Sequence, residues 1–285
     1  MKAPMKFALC NEVLKHLPFP DQCRAAKALG YDGLEVAPFT LADDPSTMND
    51  AQAAGFRRVA EDHGLEISGL HWLLVAPAGL SIASADASLR HRTTAFMRRL
   101  VELCAAMGGK YLVHGSPKQR SVPPGDTHPA ALARAQECLA AVATHAEQHG
   151  VIYCIEPLST AETDVLNTVA QAAELVDAIG SPAFKTMIDC SAAGQVEAEP
   201  VPALMRRWMP TGRIGHVQVN DPNRRGPGQG DMQFAPILAA LREMQQAGHY
   251  HGIVAVEPFD YVPDGMGSAA RAIGYLRGLE EQAHG

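Results

Sequence analysis

The stretch Val151-Ile152-Tyr153-Cys154-Ile155-Glu156-Pro157 decides the fold. A short apolar run that is rich in β-branched residues predicts a strand buried on both faces. Glu156 ends this run, and Pro157 cannot continue the hydrogen-bonded ladder because it has no N–H group. A near copy, Ile253-Val254-Ala255-Val256-Glu257-Pro258, occurs later in the chain. The sequence therefore predicts two buried strands that each carry a glutamate to the edge of the core.

Two further apolar runs lead to polar residues in the same way. Residues 184–188 lead to Asp189, and residues 214–219 include Gln218. Together with Glu156 and Glu257, these side chains are predicted to share one rim. Carboxylates gathered at the edge of an apolar core need a cation or protons to offset their repulsion. The simplest prediction is one divalent ion with Glu156, Asp189, Gln218 and Glu257 as its ligands, and oxygen ligands favour Mn²⁺ or Mg²⁺ over zinc.

Short apolar runs alternate with longer amphipathic segments about eight times along the chain. The predicted strands are 5–10, 33–36, 66–73, 111–114, 151–155, 184–188, 214–219 and 253–256. The predicted helices are about 20–29, 47–63, 88–107, 129–149, 168–179, 201–208, 234–247 and 268–283, with Asn167 as the N-cap of the fifth. This pattern predicts an α/β protein, a (β/α)8 TIM barrel with residues 1–285 as a single domain. A doubly wound sheet is the alternative, but no Gly-x-Gly-x-x-Gly follows the first strand.

Composition narrows the class of partner and the cellular location. The formal net charge is −7, which argues against nucleic acid, because phosphate binding calls for a basic surface. No apolar run reaches the ~18 residues that a membrane span needs, and the N-terminus does not read as a signal segment. The six cysteines show no Cys-x-x-Cys spacing, which is typical of reduced, buried thiols. We expect a cytoplasmic protein.

The four strand ends resemble the xylose isomerase-like barrel superfamily of sugar isomerases and epimerases, and the resemblance covers essentially the whole chain. In that superfamily, strands five to eight supply Glu, Asp, His or Gln, and Glu to one divalent metal. Gln218 stands where ketose 3-epimerases usually have His, and it is more similar to the hydroxypyruvate isomerase branch and the 3-dehydroshikimate dehydratases. Ala192 stands where those epimerases have a substrate-binding His. The segment Leu166-Asn167-Thr168 also resembles the hydroxypyruvate isomerase branch.

The resemblance implies a divalent-metal-dependent sugar isomerase or epimerase that acts on a small polyhydroxy carbonyl substrate. A metal that polarises the carbonyl and a neighbouring hydroxyl stabilises an enediolate. Glu156 and Glu257 resemble the acid and base that transfer the proton. A metal-dependent lyase, such as a dehydratase of a cyclic keto acid, is the first alternative. A non-catalytic sugar-binding barrel is the second.

Further polar residues surround the predicted mouth of the barrel. Histidines end the third and fourth strands, a glutamate lies in the second, and basic loops follow the fourth and seventh. Arginine's planar fork suits a carboxylate or phosphate group. The predicted substrate-binding residues are His71, His114, Glu35, Glu162, Lys118, Arg120, Asn220, Arg224 and Arg225. The expected partner is a small-molecule sugar or keto acid, and the resemblance also suggests a homo-oligomer.

Overall fold

Eight parallel strands close into one barrel in the computed structural model, which describes residues 4–282. The strands pair in sequence order, and β1 also pairs with β8. They are β1 (Phe7–Cys10), β2 (Gly33–Val36), β3 (Glu66–Leu70), β4 (Tyr111–His114), β5 (Ile152–Ile155), β6 (Phe184–Asp189), β7 (Ile214–Val219) and β8 (Val254–Val256). The predicted (β/α)8 TIM barrel is confirmed.

Helices surround the barrel and connect its strands. They are α1 (Phe19–Leu29), α2 (Asp50–Asp62), α3 (Ala87–Ala106), α4 (His128–His149), α5 (Val169–Ile179), α6 (Cys190–Val196), α7 (Val201–Trp208), α8 (Phe234–Gln246) and α9 (Gly265–Gln282). The predicted end of the last helix, Ala283, lies outside the described residues. Helix α6 was not predicted. It starts directly after β6, where the Asp189 side chain accepts a hydrogen bond from the Ala192 N–H at 2.7 Å.

The N-cap of α5 differs from the prediction by one residue. Thr168 caps the helix, in a reciprocal pair of hydrogen bonds with Gln171. The neighbouring Asn167 donates instead to the carbonyls of Leu158 and Thr163, at 2.9 and 3.0 Å. The prediction of Asn167 as the cap was wrong because Thr168 also has a cap-forming side chain and the correct spacing to a glutamine at the third helical position.

Two apolar layers hold the barrel together. The larger one lies between the strands and the surrounding helices. A smaller cluster occupies alternate strand positions and includes Ala8, Cys10, Tyr111, Val113 and Met187. Because successive strand residues face opposite sides of a sheet, this second cluster fills the barrel interior. The interior is therefore a packed core, and polar side chains gather where the strands end.

The cysteines agree with a further prediction from composition. All six cysteines are buried and unpaired. Within residues 4–282, no helix combines the length and the apolar character that crossing a membrane requires.

Candidate active site

Four oxygen-bearing side chains lie at the carboxyl ends of β5 to β8. Glu156 and Glu257 directly follow β5 and β8, Asp189 ends β6, and Gln218 lies in β7. Carboxylate oxygens of Glu156, Asp189 and Glu257 lie within 4.8 Å of one another. The three residues are only 6%, 4% and 3% exposed. Gln218 is the strand-register partner of Asp189, so the structure brings all four predicted ligands to one end of the barrel.

Burial raises the pKa of all three carboxyl groups. Glu156 has a pKa well above its ordinary value, because it is buried and lies beside Glu257 and Asp189. The pKa of Asp189 rises to about 7, because burial outweighs the hydrogen bonds that it accepts. The pKa of Glu257 rises to about 8, because burial outweighs the attraction of His71. A divalent cation would keep these groups ionised, and their all-oxygen character fits Mg²⁺ or Mn²⁺.

The amide of Gln218 has a fixed orientation. Its Nε2 donates a hydrogen bond to Oε1 of Glu35 at 2.7 Å. Its Oε1 is buried and has no hydrogen-bond partner among residues 4–282. A buried carbonyl oxygen without a donor is costly, and a metal ion would satisfy it. This orphaned oxygen is a second observation, besides the carboxylate cluster, that fits a cation at this position.

Glu35 lies beneath the site and is fully buried. Besides Gln218, its oxygens accept hydrogen bonds from the Tyr111 hydroxyl and the Cys10 thiol. The His216 ring lies 2.8 Å from Oε2. Although burial alone would raise the pKa of Glu35, the neighbouring His216 and other partners lower it to about 2. Glu35 is therefore an ionised carboxylate whose contacts are protein side chains, and its predicted contact with substrate stays a prediction.

The two carboxylate oxygens of Glu257 differ in their hydrogen-bond partners. Oε1 accepts hydrogen bonds from Nδ1 of His71 at 2.9 Å and from Nε1 of Trp72 at 3.0 Å. Oε2 is buried and has no partner in the described part of the chain. The other ring nitrogen of His71 lies 2.9 Å from Oε2 of Glu12. Burial opposes protonation of His71, but the carboxylates of Glu12, Glu257 and Glu35 raise its pKa well above the ordinary value.

Asn220 connects the ends of β6, β7 and β8. Its Nδ2 donates to Oδ2 of Asp189 at 2.7 Å and to the Glu257 carbonyl at 3.1 Å. Its Oδ1 accepts a hydrogen bond from the Ser191 N–H at 2.8 Å. Asn220 was predicted to bind substrate; the geometry shows it holding two of the candidate ligands.

His114 and Arg120 lie on the β4 side of the site, and both are buried. Nδ1 of His114 lies 2.8 Å from the Tyr153 hydroxyl, while Nε2 has no partner among the described residues. Burial and the nearby Arg120 lower the pKa of His114 to about 3, so the ring is neutral. Arg120 donates from Nη1 to the Glu156 carbonyl at 2.6 Å. Its Nε and Nη2 lack an acceptor within residues 4–282.

Two loops approach each other above the site. Arg224 and Glu162 come within 3.6 Å. The Arg224 guanidinium also lies 4.7 Å from the ring centre of Phe259, which in turn lies 6.0 Å from the ring of Trp72. The two aromatic rings and this ion pair form one continuous wall at the mouth.

Two further predicted basic residues lie in the loops after β4 and β7. Lys118 is exposed in the loop after β4. Arg225 donates to Asp260 at 2.8 Å, and its side chain is 38% exposed. Their predicted contact with substrate stays a prediction.

Glu12 and Tyr111 belong to the polar network but were not among the predicted site residues. Glu12 lies two residues after β1, so an acidic residue close to the end of a strand was the available signal. Tyr111 opens β4 and reaches Glu35 from inside the barrel. A tyrosine at the start of an apolar run carries no sequence signal for such a contact.

Comparison with known proteins agrees with this architecture. The model of the xylose isomerase-like TIM barrel family matches residues 23–279, so the chain belongs to that family. D-psicose 3-epimerase of Agrobacterium fabrum is 31% identical over 242 residues, which cover 81% of this chain and 76% of the relative. These matches identify the chain as an isomerase or epimerase.

Two solved structures share the fold. The structure of a D-psicose 3-epimerase in the presence of D-fructose has a TM-score of 0.78 at 24% identity, covering 96% of this chain and 99% of that one. An L-ribulose 3-epimerase structure has a TM-score of 0.80 at 20% identity, covering 99% and 96%.

Proposed function

We propose that this protein is a divalent-metal-dependent sugar epimerase that inverts a carbon next to the carbonyl of a small ketose. The observation that carries the proposal is the buried cluster of Glu156, Asp189 and Glu257, joined by the orphaned amide oxygen of Gln218. Ketose 3-epimerases among the relatives support a ketose as the substrate. Mn²⁺ or Mg²⁺ suits these oxygen ligands. The cytoplasmic location and a homo-oligomeric state stay predictions.

Glu156 and Glu257 transfer the proton in this proposal. When bound, the ion would polarise the substrate carbonyl and lower the cost of forming an enediolate. One carboxylate removes the proton next to the carbonyl, and the other carboxyl group returns a proton to the opposite face. Hydrogen bonds hold Oε1 of Glu257 in place, so Oε2 is the atom available for this transfer or for the ion.

The remaining predicted residues divide into two groups by their contacts. Glu35, His71 and Asn220 hold the candidate ligands in position. We propose that the other group contacts the substrate. It consists of His114, Lys118, Arg120, Glu162, Arg224 and Arg225.

A solvent-exchange assay tests the proposal. The Mn²⁺-loaded protein would be incubated in D₂O with D-psicose, D-fructose or L-ribulose, and the products analysed by NMR. We expect an epimer that carries deuterium at the inverted carbon, because the proton returned comes from a group that exchanges with solvent. If neither epimer nor deuterium appears with any ketose tested, the proposed reaction is wrong.

Replacing the proposed acid and base gives the first prediction. Glu156→Gln and Glu257→Gln should each lower kcat at least about 100-fold, because an amide cannot accept or return the proton. Glu174→Gln, at an exposed position on α5, is the matched control and should keep the wild-type rate. Near-wild-type turnover by Glu257→Gln on a true substrate would contradict the assignment.

The glutamine at position 218 also supports a second candidate function, that of a lyase. The sequence resemblance links glutamine at this position to 3-dehydroshikimate dehydratases, which share proton abstraction next to a carbonyl and then expel a β-hydroxyl group. Elimination from dehydroshikimate produces an ultraviolet absorbance, whereas epimerisation leaves the spectrum almost unchanged. An absorbance increase with dehydroshikimate and no epimer from any ketose would favour the lyase.

A further inference from the structure

A second group of metal-binding side chains lies on the outside of the barrel, on α3 and α4. It consists of Glu102 on α3 with His145 and His149 on α4. These residues lie near the carboxyl ends of their helices. Helices of this barrel run back from the carboxyl ends of the strands to the amino ends. The group is therefore at the opposite end of the barrel from Glu156 and Glu257.

The two histidines share one face of α4. They are four residues apart, so their side chains lie one above the other on the helix, and their ring centres are 4.3 Å apart. Nδ1 of His149 donates a hydrogen bond to the His145 carbonyl at 2.9 Å. That bond fixes the tautomer and leaves the lone pair of Nε2 for a metal ion, as the outer hydrogen bond of a metal-bound histidine does.

Glu102 completes the group from the neighbouring helix. Its Oε2 accepts a hydrogen bond from Nη1 of Arg99 at 2.6 Å. Its Oε1 lies 3.1 Å from Nε2 of His145. Because Arg99 occupies Oε2, Oε1 is the carboxylate oxygen that lies beside His145 and can act as a metal ligand.

We propose that Glu102, His145 and His149 form a surface site for a borderline transition-metal ion such as Zn²⁺ or Ni²⁺. One ligand atom from each residue lies within 4.8 Å of the other two. Ligand atoms around a tetrahedral zinc ion with bonds of about 2.0 Å are about 3.3 Å apart, close to the contact between Glu102 and His145. Two imidazoles and one carboxylate suit zinc and nickel, whereas the oxygen ligands at the mouth suit Mg²⁺ or Mn²⁺.

The site would connect two helices that pack side by side. The side chains of His145 and Glu102 are 20% and 34% exposed, and His149 is exposed, so an ion can enter from solvent and keep water in its remaining positions. An ion that binds only the folded state stabilises it by mass action. Occupancy of the site should therefore raise the melting temperature without changing the chemistry at the mouth.

Retention of the untagged protein on a column of immobilised Ni²⁺ tests the site. A resin-bound ion can reach exposed histidines but cannot reach the buried carboxylates at the mouth. We expect the wild type to be retained and to need imidazole for elution, and His145→Gln and His149→Gln each to lose most of that retention. The double variant His249→Gln/His251→Gln removes two exposed histidines elsewhere and should behave as the wild type.

Retention of His149→Gln equal to that of the wild type would overturn the proposal, as would loss of retention only in the His249/His251 variant. A second measurement adds Zn²⁺ to Mn²⁺-loaded protein. The melting temperature of the wild type should rise by a few degrees more than that of His149→Gln, and equal shifts would also overturn the proposal. Because the site lies away from the mouth, the outcome does not depend on the proposed epimerase activity.

Discussion

At the scale of single residues, the candidate ligands depend on partners that fix each atom's role. Glu35 accepts the Nε2–H of Gln218, and this contact fixes the amide with its buried Oε1 left without a hydrogen-bond partner among the described residues. His71 and Trp72 both donate to one oxygen of Glu257. Residues behind metal ligands commonly change metal affinity by 10- to 100-fold when they are replaced. Replacing Glu35 or His71 should therefore change metal affinity, although neither residue is a candidate ligand.

Glu35→Gln should weaken Mn²⁺ binding by about 10- to 100-fold. The new amide can donate to Gln218, which removes the constraint on the orientation of its Oε1. Isothermal titration would measure the affinity, and kcat should recover when Mn²⁺ is saturating. Glu66→Gln, on the same sheet but exposed, is the control. Unchanged affinity in Glu35→Gln, with an intact near-ultraviolet spectrum, would show that Gln218 is not oriented in this way.

At the scale of elements, the turn after β4 leaves space for the side chain of Glu156, which directly follows β5. A Cβ atom at Gly115 would collide with Oε2 of Glu156. From the same turn, Arg120 donates to the Glu156 carbonyl. The β4 turn therefore holds the backbone of Glu156 through Arg120, and Gly115 leaves the space that the Glu156 carboxylate occupies.

Gly115→Ala should lower kcat by about 100-fold, because Glu156 has to move from its place beside Asp189 and Glu257, and misplacement of a reacting group by about 1 Å has costs of this order. Gly274→Ala is the control. Its added methyl group meets nothing within 4 Å, and alanine in the middle of α9 should stabilise the protein by about 0.5–1 kcal/mol. Steady-state kinetics and thermal melting measure the two effects. Full activity in Gly115→Ala would mean that the turn does not position Glu156.

Elements also show where prediction from sequence succeeds. Acidic residues at the ends of β5, β6 and β8 were predictable, because an apolar run followed by a carboxylate is a local signal. Helix α6 was missed, because Cys190–Val196 is short and its N-cap, Asp189, was already assigned as a ligand. The contact between Tyr111 and Glu35 joins strands that are far apart in sequence, and no local pattern encodes it.

At the scale of the whole molecule, the barrel brings carboxyl groups together in a buried cluster, and burial raises their pKa values. Asp189 and Glu257 have pKa values of about 7 and about 8, whereas carboxyl groups in an unfolded chain titrate near pH ~4. Between these values the folded, ion-free protein binds more protons than the unfolded chain. Its free energy of unfolding should therefore fall as pH rises from about 4 to about 8.

A divalent ion should oppose this fall in the free energy of unfolding at higher pH, since it binds the deprotonated carboxylates. Melting temperatures measured with EDTA and with Mn²⁺ should differ little near pH ~5 and by several degrees near pH ~8. The Glu257→Gln variant removes one of the raised groups, so its EDTA curve should depend less on pH. Parallel curves with and without Mn²⁺ would argue against a cation at this cluster.

Several residues that orient the candidate ligands lie in the other half of the barrel. This arrangement restricts which half-barrels of related proteins can be combined with a half of this chain. The candidate ligands lie at the ends of β5 to β8, whereas Glu35, His71 and Tyr111 lie in or next to β2, β3 and β4. A chimera joined near Gly150 would separate Gln218 from Glu35 and Glu257 from His71, whereas Asp189 would keep its partner Asn220. Half-barrel exchange should yield folded but poorly active hybrids unless contact pairs such as Glu35 with Gln218 and His71 with Glu257 are transplanted together.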